Sequence, residues 1–318
     1  MSPTVSVVIV TYNKADTISA AIKSVLSQTF RDLEILIVDD GSTDTTAERV
    51  KIFDTKVRYL PKRNGGTGSA RNLGIAEAQG EFVAFLDGDD LWLPQKLEIQ
   101  MEAFKRESHL IAVQCEAYCV DPALRMIERR FCTPKHDTLL DFLLFRNLPA
   151  FASCVMIRKE TLKSVGGFGT DLVILSDWDM CCRLARAGTI RSIPEPLVLY
   201  RQYPNNQSRN VEIHLWSGVR SLRRFFADPA LEPRIRLRQR QVWARFYAML
   251  AGGYIRNRKW GKALGWTCKA LRTSPAVVPY IAGFPIRRLR RVFSYQQGRS
   301  FLTEFPYALQ NAAAKTTP

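Results

Sequence analysis

The sequence predicts an α/β fold: a mixed, mostly parallel sheet flanked by helices, with a basic helical region at the C-terminal end. Three observations predict it. Over the first third, apolar β-branched runs alternate with helix-periodic segments. Several of those runs end in polar residues, which parallel strands would deliver to one edge. After residue 211 strand patterns vanish and arginines accumulate.

Val5–Thr11 is a continuous β-branched run, the pattern of a central parallel strand. Asp16 is placed to cap a helix carrying Ile18, Ala21, Ile22, Val25 and Leu26. Leu33–Asp39 predicts a second buried strand, ended by Asp39-Asp40-Gly41-Ser42, with Ser42 capping a helix to about Phe53. Val57–Leu60 is a short third strand, and Gly65-Gly66-Thr67-Gly68 opens a helix carrying Arg71. Phe82–Leu86 is the fourth strand, and Asp87-Gly88-Asp89-Asp90 follows it. Further strands are expected near Leu110–Ala117, Cys154–Arg158 and Leu197–Arg201, with a helix starting near Asp177. Glu212–Phe226, Arg234–Ile255 and Trp260–Leu271 read as helices, and the segment around Phe246–Pro275 has the pattern of one tetratricopeptide-type hairpin. Three parts are expected: 1–105, 106–211 and 212–318.

The net charge of +16 is unevenly placed. Residues 1–211 hold 26 Lys/Arg against 26 Asp/Glu, whereas 212–318 hold 20 against 4. A neutral body with a basic extension points to an anionic partner: lipid headgroups, a phosphorylated acceptor or nucleic acid. Arg220, Arg223 and Arg224, then Arg234, Arg236, Arg238 and Arg240, then Arg287, Arg288, Arg290 and Arg291 recur beside aromatics. Such faces suit an anionic membrane surface. No nucleic-acid module is recognisable, so nucleic acid is not expected as a partner. The seven cysteines, Cys132 among them, show no metal-ligand spacing and read as reduced thiols of a cytosolic chain. His109, His136 and His214 are scattered and receive no role. The N-terminus lacks the features of a signal peptide. No run approaches the roughly 18 apolar residues of a spanning helix; Ala276–Ile286 comes nearest. A cytoplasmic protein, peripheral at the inner face of the cytoplasmic membrane, is the expectation.

The acidic tetrapeptide carries the chemistry. Carboxylates gathered at a strand end are costly unless a cation neutralises them, and hard Mg2+ or Mn2+ prefers oxygen ligands. The polar strand ends Thr11-Tyr12-Asn13, Asp39-Asp40, Asp87 and Asp89, with the Arg71 segment, match what a nucleotide-diphosphate sugar requires. An aromatic can stack on the base, a carboxylate can accept an imide N–H, an arginine can meet phosphate, and an aspartate pair can hold the metal. Plainer readings exist, since Asp and Gly are turn residues and acids favour first helical turns. A nucleic-acid protein acting through its basic C-terminal helices and a nucleotidyltransferase on a similar sheet are the alternatives. A dinucleotide enzyme would need a glycine fingerprint after Val5–Thr11; Gly66-x-Gly68-x-x-Arg71 lacks the third glycine and follows the wrong strand.

Five segments in order resemble the family 2 glycosyltransferases of GT-A fold. They are Val-Ser-Val-Val-Ile-Val-Thr-Tyr-Asn (5–13), Leu-Ser-Gln-Thr-Phe (26–30), Val-Asp-Asp-Gly-Ser-Thr-Asp (38–44), Ala-Arg-Asn-Leu-Gly-Ile-Ala (70–76) and Phe-Leu-Asp-Gly-Asp-Asp-Leu-Trp-Leu-Pro (85–94). The resemblance is dense over 4–105, thins to patches such as Val165-Gly166-Gly167-Phe168 and Ser176–Leu184, and ends near 211. It implies that Thr11, Tyr12, Asn13, Asp40, Arg71, Asp87, Gly88 and Asp89 bind the donor. Tyr12 would stack on the base and Asp40 would pair with it. Asp87 and Asp89 would be the Asp-x-Asp motif that binds Mn2+ or Mg2+, with Asp89 the firmer ligand. Asp177 falls on the catalytic-base position, preceded by Ser176 where the family pattern has glutamate, and Asp179 is the fallback. Tyr200-Arg201-Gln202 and Asn205–Ser208 sit where the family often places acceptor or diphosphate contacts, and Arg201 is read as a phosphate contact. The implied reaction is inverting and metal-dependent. One sugar passes from a UDP- or dTDP-sugar to a hydroxyl of a lipid-linked or growing cell-surface glycan. Processive synthases of the family carry spanning helices and a Gln-x-x-Arg-Trp motif; the sequence has neither.

Overall fold

A computed structural model describes residues 2–130, 136–137, 139–144, 152–203 and 210–283. The first half supplies strands β1 (Val5–Thr11), β2 (Leu33–Asp39), β3 (Arg58–Pro61), β4 (Phe82–Asp87) and β5 (Leu91–Trp92). The second supplies β6 (Leu110–Val120), β7 (Met126–Arg130), β8 (His136–Asp137), β9 (Val155–Arg158) and β10 (Thr189–Arg201). They form one sheet in the order β3-β2-β1-β4-β9-β6-β10-β5, with β7 on β6 and β8 on β10. The pairs β1–β2, β1–β4, β2–β3 and β6–β10 are parallel; β9 runs antiparallel to both β4 and β6. The carboxyl ends of β1, β2 and β4 therefore share one edge.

Helices cover both faces. They are α1 (Ile18–Leu26), α2 (Thr46–Lys51), α3 (Gly66–Glu77), α4 (Lys96–Arg106), α5 (Leu139–Leu143), α6 (Lys159–Ser164) and α7 (Ser176–Ala187). After the last strand come α8 (Val211–Ala227), α9 (Pro233–Arg236), α10 (Gln239–Arg256), α11 (Trp260–Thr273) and α12 (Val278–Ala282). Side chains alternate across a strand, so each β-branched run feeds two cores. Val8, Val10, Leu36, Val38, Val83 and Phe85 join α3, α7, α8 and α10 on one face. Val5, Val7, Ile9, Ile35, Ile37, Ala84 and Leu86 join α1 and α4 on the other. The C-terminal helices thus pack onto the same core as the sheet through Leu222, Phe226, Val242 and Phe246.

The predicted strands and the helices from Gly66 and near Asp177 are present, with three corrections. Asp16 does not cap α1: Thr17 precedes the helix, and the turn closes on the main chain, with the Thr17 and Ile18 N–H groups donating to the Lys14 carbonyl. Ser42 does not cap α2; its hydroxyl accepts the Asn13 N–H, and Asp44 accepts the Thr46 N–H at the helix entrance. The helix expected over 234–255 is divided into α9 and α10 by a turn at Leu237–Arg238, where the Arg238 N–H donates to the Ile235 carbonyl three residues back. The expected helical hairpin is α10 and α11, packed through Ala244, Ala248 and Ala270. Among the described residues no helix is long and apolar enough to cross a membrane. Cys132, Asn205–Ser208, Arg287, Arg288, Arg290 and Arg291 lie outside the described residues.

At the start of α4, Lys96 is fully buried, its ammonium 3.8 Å from the Trp92 ring centroid and donating to Gln100 Oε1. Burial pulls its pKa down to about 8. The unfolded chain holds that proton up to the ordinary lysine range, so this group's contribution to stability rises between about pH 8 and pH 10.5. The span corresponds to about 3 kcal/mol. We expect Lys96→Met to flatten that rise in urea titrations across this window; an unchanged pH profile would refute the assignment.

Candidate active site

Two loops at the carboxyl edge are laced together. The Asp40 N–H donates to the Thr11 carbonyl at 2.9 Å. Asn13 adopts a left-handed backbone (φ 51°), and its Oδ1 accepts the Thr43 N–H at 2.8 Å. Asn13 thus joins the β1 loop to the β2 loop. Asp39 accepts the Ser42 N–H and the Tyr59 hydroxyl, so its carboxylate is structural. Asp40 accepts Lys62 Nζ at 2.6 Å and the N–H groups of Gly65 and Gly66 at 2.9 and 2.8 Å, which ties β2 to the start of α3. Tyr12 is 46% exposed at the crevice mouth. Thr11 is buried, and its hydroxyl has no partner among the described residues. It lies against Gly88, where a Cβ would come within 3.1 Å of Thr11 Oγ1. Gly88 is thus a close-approach residue: its N–H donates to the Val10 carbonyl and its carbonyl accepts the Thr17 hydroxyl.

The acidic turn presents three carboxylates in three environments. Asp87 accepts Arg71 Nη2 at 2.8 Å. Asp89 accepts Lys14 Nζ at 2.6 Å. Asp90 is buried, accepts the Ser153 hydroxyl at 2.6 Å and the Arg201 N–H at 2.9 Å, and is held well above the usual carboxylate range by burial and then by Asp89 and Asp87. Burial likewise raises Asp89, Asp87 adds to the rise, and Lys14 opposes it. Ser153 also accepts the Asp87 N–H, at 3.1 Å, so one hydroxyl braces both ends of the turn. Arg201 is a correction: its Nε donates to the Asp89 carbonyl and its Nη1 to the Pro122 carbonyl, so the guanidinium clamps the turn.

Arg71 sits under this edge, 4% exposed, with its guanidinium 5.1 Å from the Phe168 ring centroid. Asn72 holds Phe168 through both main-chain groups, donating to its carbonyl at 2.9 Å and accepting its N–H at 2.7 Å. Gly166 (φ 81°) and Gly167 (φ 65°) make that approach possible, and a Cβ on Gly167 would fall 2.5 Å from Asn72 Oδ1. Asp87 and then Asp177 hold the Arg71 guanidinium in its charged form against burial. Asp177, in the first turn of α7, has its carboxyl raised by burial and by Asp87, while Arg71 opposes the rise. Asp87, Arg71 and Asp177 therefore belong to one electrostatic cluster. Tyr200 borders it: burial raises its phenol, and the charges of Asp90, Asp87, Asp177 and Asp89 add to that.

Asp179, the fallback base, is a second correction. It accepts Ser221 Oγ at 2.5 Å, Arg224 Nη2 at 2.8 Å and Arg183 Nε at 2.9 Å, which anchors α8 to α7. We expect Asp179→Ala to lower unfolding free energy by roughly 2–3 kcal/mol, somewhat under the range for breaking a fully buried pair because both arginines are partly exposed. Equal denaturant midpoints for the two proteins would contradict it.

Asp87 and Asp89 are hard oxygen donors with side chains 31% and 18% exposed, and each already meets a protein cation. Among the described residues no group of three or more His, Cys, Asp or Glu is arranged to hold a metal. The chain thus offers one or two carboxylates, a set that suits Mn2+ or Mg2+ when diphosphate oxygens and water complete the shell. Sequence reasoning missed Lys14, Asn72, Phe168 as the Arg71 platform, and Ser153. Lys14 adjoins the Thr-Tyr-Asn segment and could have been flagged, whereas nothing local marks Ser153.

A family model described as "Glycosyl transferase family 2" matches residues 6–166. An uncharacterized glycosyltransferase of Rickettsia typhi is 32% identical over 230 residues, covering 68% of this chain and 71% of that protein. The UDP-Glc:alpha-D-GlcNAc-diphosphoundecaprenol beta-1,3-glucosyltransferase WfgD of Escherichia coli is 43% identical over 99 residues, 30% of this chain and 39% of that protein. Among solved structures, S. aureus TarS 1-349 in complex with UDP aligns with a TM-score of 0.60 at 22% identity, over 94% of this chain and 92% of that one. The mannosyltransferase PcManGT of Pyrobaculum calidifontis, in complex with GDP-Man and Mn2+, aligns with a TM-score of 0.56 at 19% identity, over 99% of this chain and 87% of that one. At these identities the structural likeness shows the fold, a GT-A-type mixed sheet.

Proposed function

Since the chain belongs to glycosyl transferase family 2 and is a glycosyltransferase, we propose that it moves a single sugar from a UDP- or dTDP-sugar to a hydroxyl of a lipid-linked or growing cell-surface glycan, inverting the anomeric centre. One observation carries the reading: Arg71 donates to Asp87 at the strand edge at 2.8 Å, and its charge also acts on Asp177, so both carboxylates share one charge cluster.

In this proposal the exposed Tyr12 ring stacks on the base. An ionised carboxylate has about four acceptor sites. Asp40 uses three on Lys62, Gly65 and Gly66, which leaves one for the base imide N–H. Asn13 and Thr11 shape the floor between the β1 and β2 ends. Asp89 and Asp87 would hold Mn2+ or Mg2+, which when bound supplies positive charge to the leaving diphosphate. Arg71, read from sequence as a phosphate contact, is assigned instead to positioning Asp87 and to opposing the protonation of Asp177. Asp177 accepts the proton of the acceptor hydroxyl as that oxygen bonds to the anomeric carbon and the diphosphate departs. Support for the donor class comes from similar proteins: S. aureus TarS is found in complex with UDP and with UDP-GlcNAc, and WfgD is a UDP-Glc glucosyltransferase, while PcManGT is in complex with GDP-Man.

Residues 212–318 are proposed to rest on an anionic membrane at the cytoplasmic face. The charge excess of that region and the exposure of Trp260 (65%) and Leu264 (66%) favour it. The deciding experiment for the reaction is a thermal-shift panel of UDP-, dTDP-, GDP- and CDP-sugars with and without Mn2+. A ligand at a hundred times its Kd stabilises the folded state by about 2.7 kcal/mol. Metal-dependent stabilisation by UDP or dTDP species is the expected result, and no response to any nucleotide sugar would refute the proposal.

A further inference from the structure

We propose that the groove along α8, lined by Glu212, Leu215, Trp216, Val219, Arg220 and Arg223, binds the phosphate-bearing saccharide end of the acceptor. The inference rests on the transfer reaction proposed above and adds the place where the acceptor is held. Trp216, Arg220 and Arg223 recur at helical spacing and so share one face. The opposite face, with Ser217, Gly218, Ser221 and Leu222, is buried, and a Cβ on Gly218 would lie 2.3 Å from the Phe246 ring. That packing presents the Trp216 face to solvent, where the ring is 50% exposed in a groove of about 550 Å³.

The groove is chemically prepared for an anion. Its one carboxylate, Glu212, is already matched by Lys262 at 2.9 Å and by the Tyr254 hydroxyl at 2.7 Å. Arg220 lies 5.4 Å from the Trp216 ring centroid and shares Asp171 with Arg224. Arg223 is exposed and forms no hydrogen bond or ion pair with the described residues. Counting Arg220, Arg223, Arg224 and Lys262 against Asp171 and Glu212 leaves two positive charges, one of which Asp179 offsets through Arg224. A guanidinium beside an indole suits a phosphate next to a pyranose ring, since arginine binds phosphate through paired N–H groups and the aromatic face accepts an apolar sugar face.

The helix that carries the groove is also tied to the one that carries Asp177. Arg224 and Ser221 grip Asp179 on α7, and Arg220 grips Asp171, three residues past Phe168. Trp216 lies eight residues, roughly 12 Å, along the axis from Arg224. One exposed guanidinium beside an exposed indole suits a single phosphorylated headgroup more than the many lipid phosphates of a bilayer.

Trp216 fluorescence, isolated by subtracting Trp216→Phe, tests the assignment. Probes are the glycosyl phosphates of glucose, galactose and N-acetylglucosamine, the same sugars unphosphorylated, inorganic phosphate, and phosphatidylglycerol vesicles. The expected result is saturable quenching by at least one glycosyl phosphate, with binding at least about tenfold weaker for its free sugar, for inorganic phosphate and in Arg223→Ala. Donor-induced thermal stabilisation in each variant confirms folding. Quenching unchanged in Arg223→Ala, equal affinity for inorganic phosphate, a response to vesicles alone, or no response to any probe would each overturn the assignment. If the wild type lacks donor-induced stabilisation, the donor reading fails independently of the groove.

Discussion

Replacing Asp177 by asparagine should lower sugar transfer by about 10²- to 10⁴-fold, the usual contribution of a positioned general base, while donor-induced thermal stabilisation persists. Asparagine keeps the size of the side chain and removes only its proton affinity. The wild type should also show an acid limb in its pH–rate profile, set above the ordinary carboxylate range. Burial favours protonated Asp177 and Arg71 opposes it, whereas a cation held on Asp87 would cancel the push which that carboxylate adds. Activity requires the ionised form, so it should fall as pH drops through that value, and the limb should be missing from whatever activity the asparagine variant retains. Full turnover in the variant would remove Asp177 from the reaction and leave the α7 end without a base, because Asp179 is held by Ser221, Arg183 and Arg224.

Asp89→Asn should abolish the metal dependence of donor binding and reduce transfer about a thousandfold, the equivalent of several kcal/mol of charge stabilisation at the leaving diphosphate. Asparagine keeps an oxygen acceptor for Lys14, so the Asp89–Lys14 contact at 2.6 Å can persist in neutral form and folding should survive. Retained Mn2+ dependence of the UDP-sugar thermal shift in this variant would place the metal elsewhere. The Lys14 contact also explains how the edge tolerates its acids without a metal, since each exposed carboxylate of the turn meets one protein cation.

Much of this arrangement was legible in the chain. The runs 5–11, 33–39 and 82–86 are short, β-branched or aromatic, and bounded by turn residues, so local pattern alone predicts their strands. Parallel pairing then sends their polar ends to one edge, and Tyr12, Asp40, Asp87 and Asp89 lie there as expected. Arg71 lies under that edge too, but the sequence does not tell its direction, because the same side chain could reach phosphate in the crevice or a carboxylate beneath it. The caps assigned to Asp16 and Ser42 were misplaced for a related reason. Each is chemically competent, and the neighbouring main chain or Asp44 made the contact instead.

By itself the amino-acid sequence determined the sheet-forming half, the acidic strand end and the basic bias after residue 211, because each depends on residues near one another in the chain. Only tertiary structure decided which carboxylates remain available for chemistry. Asp90 is buried by Ser153, 63 positions away, and by Arg201, 111 positions away, and Asp179 is claimed by Ser221, 42 positions away. Partners so distant leave no local spacing to read, and whether an aspartate acts as an anchor or as a reactive group depends on which of them reaches it first.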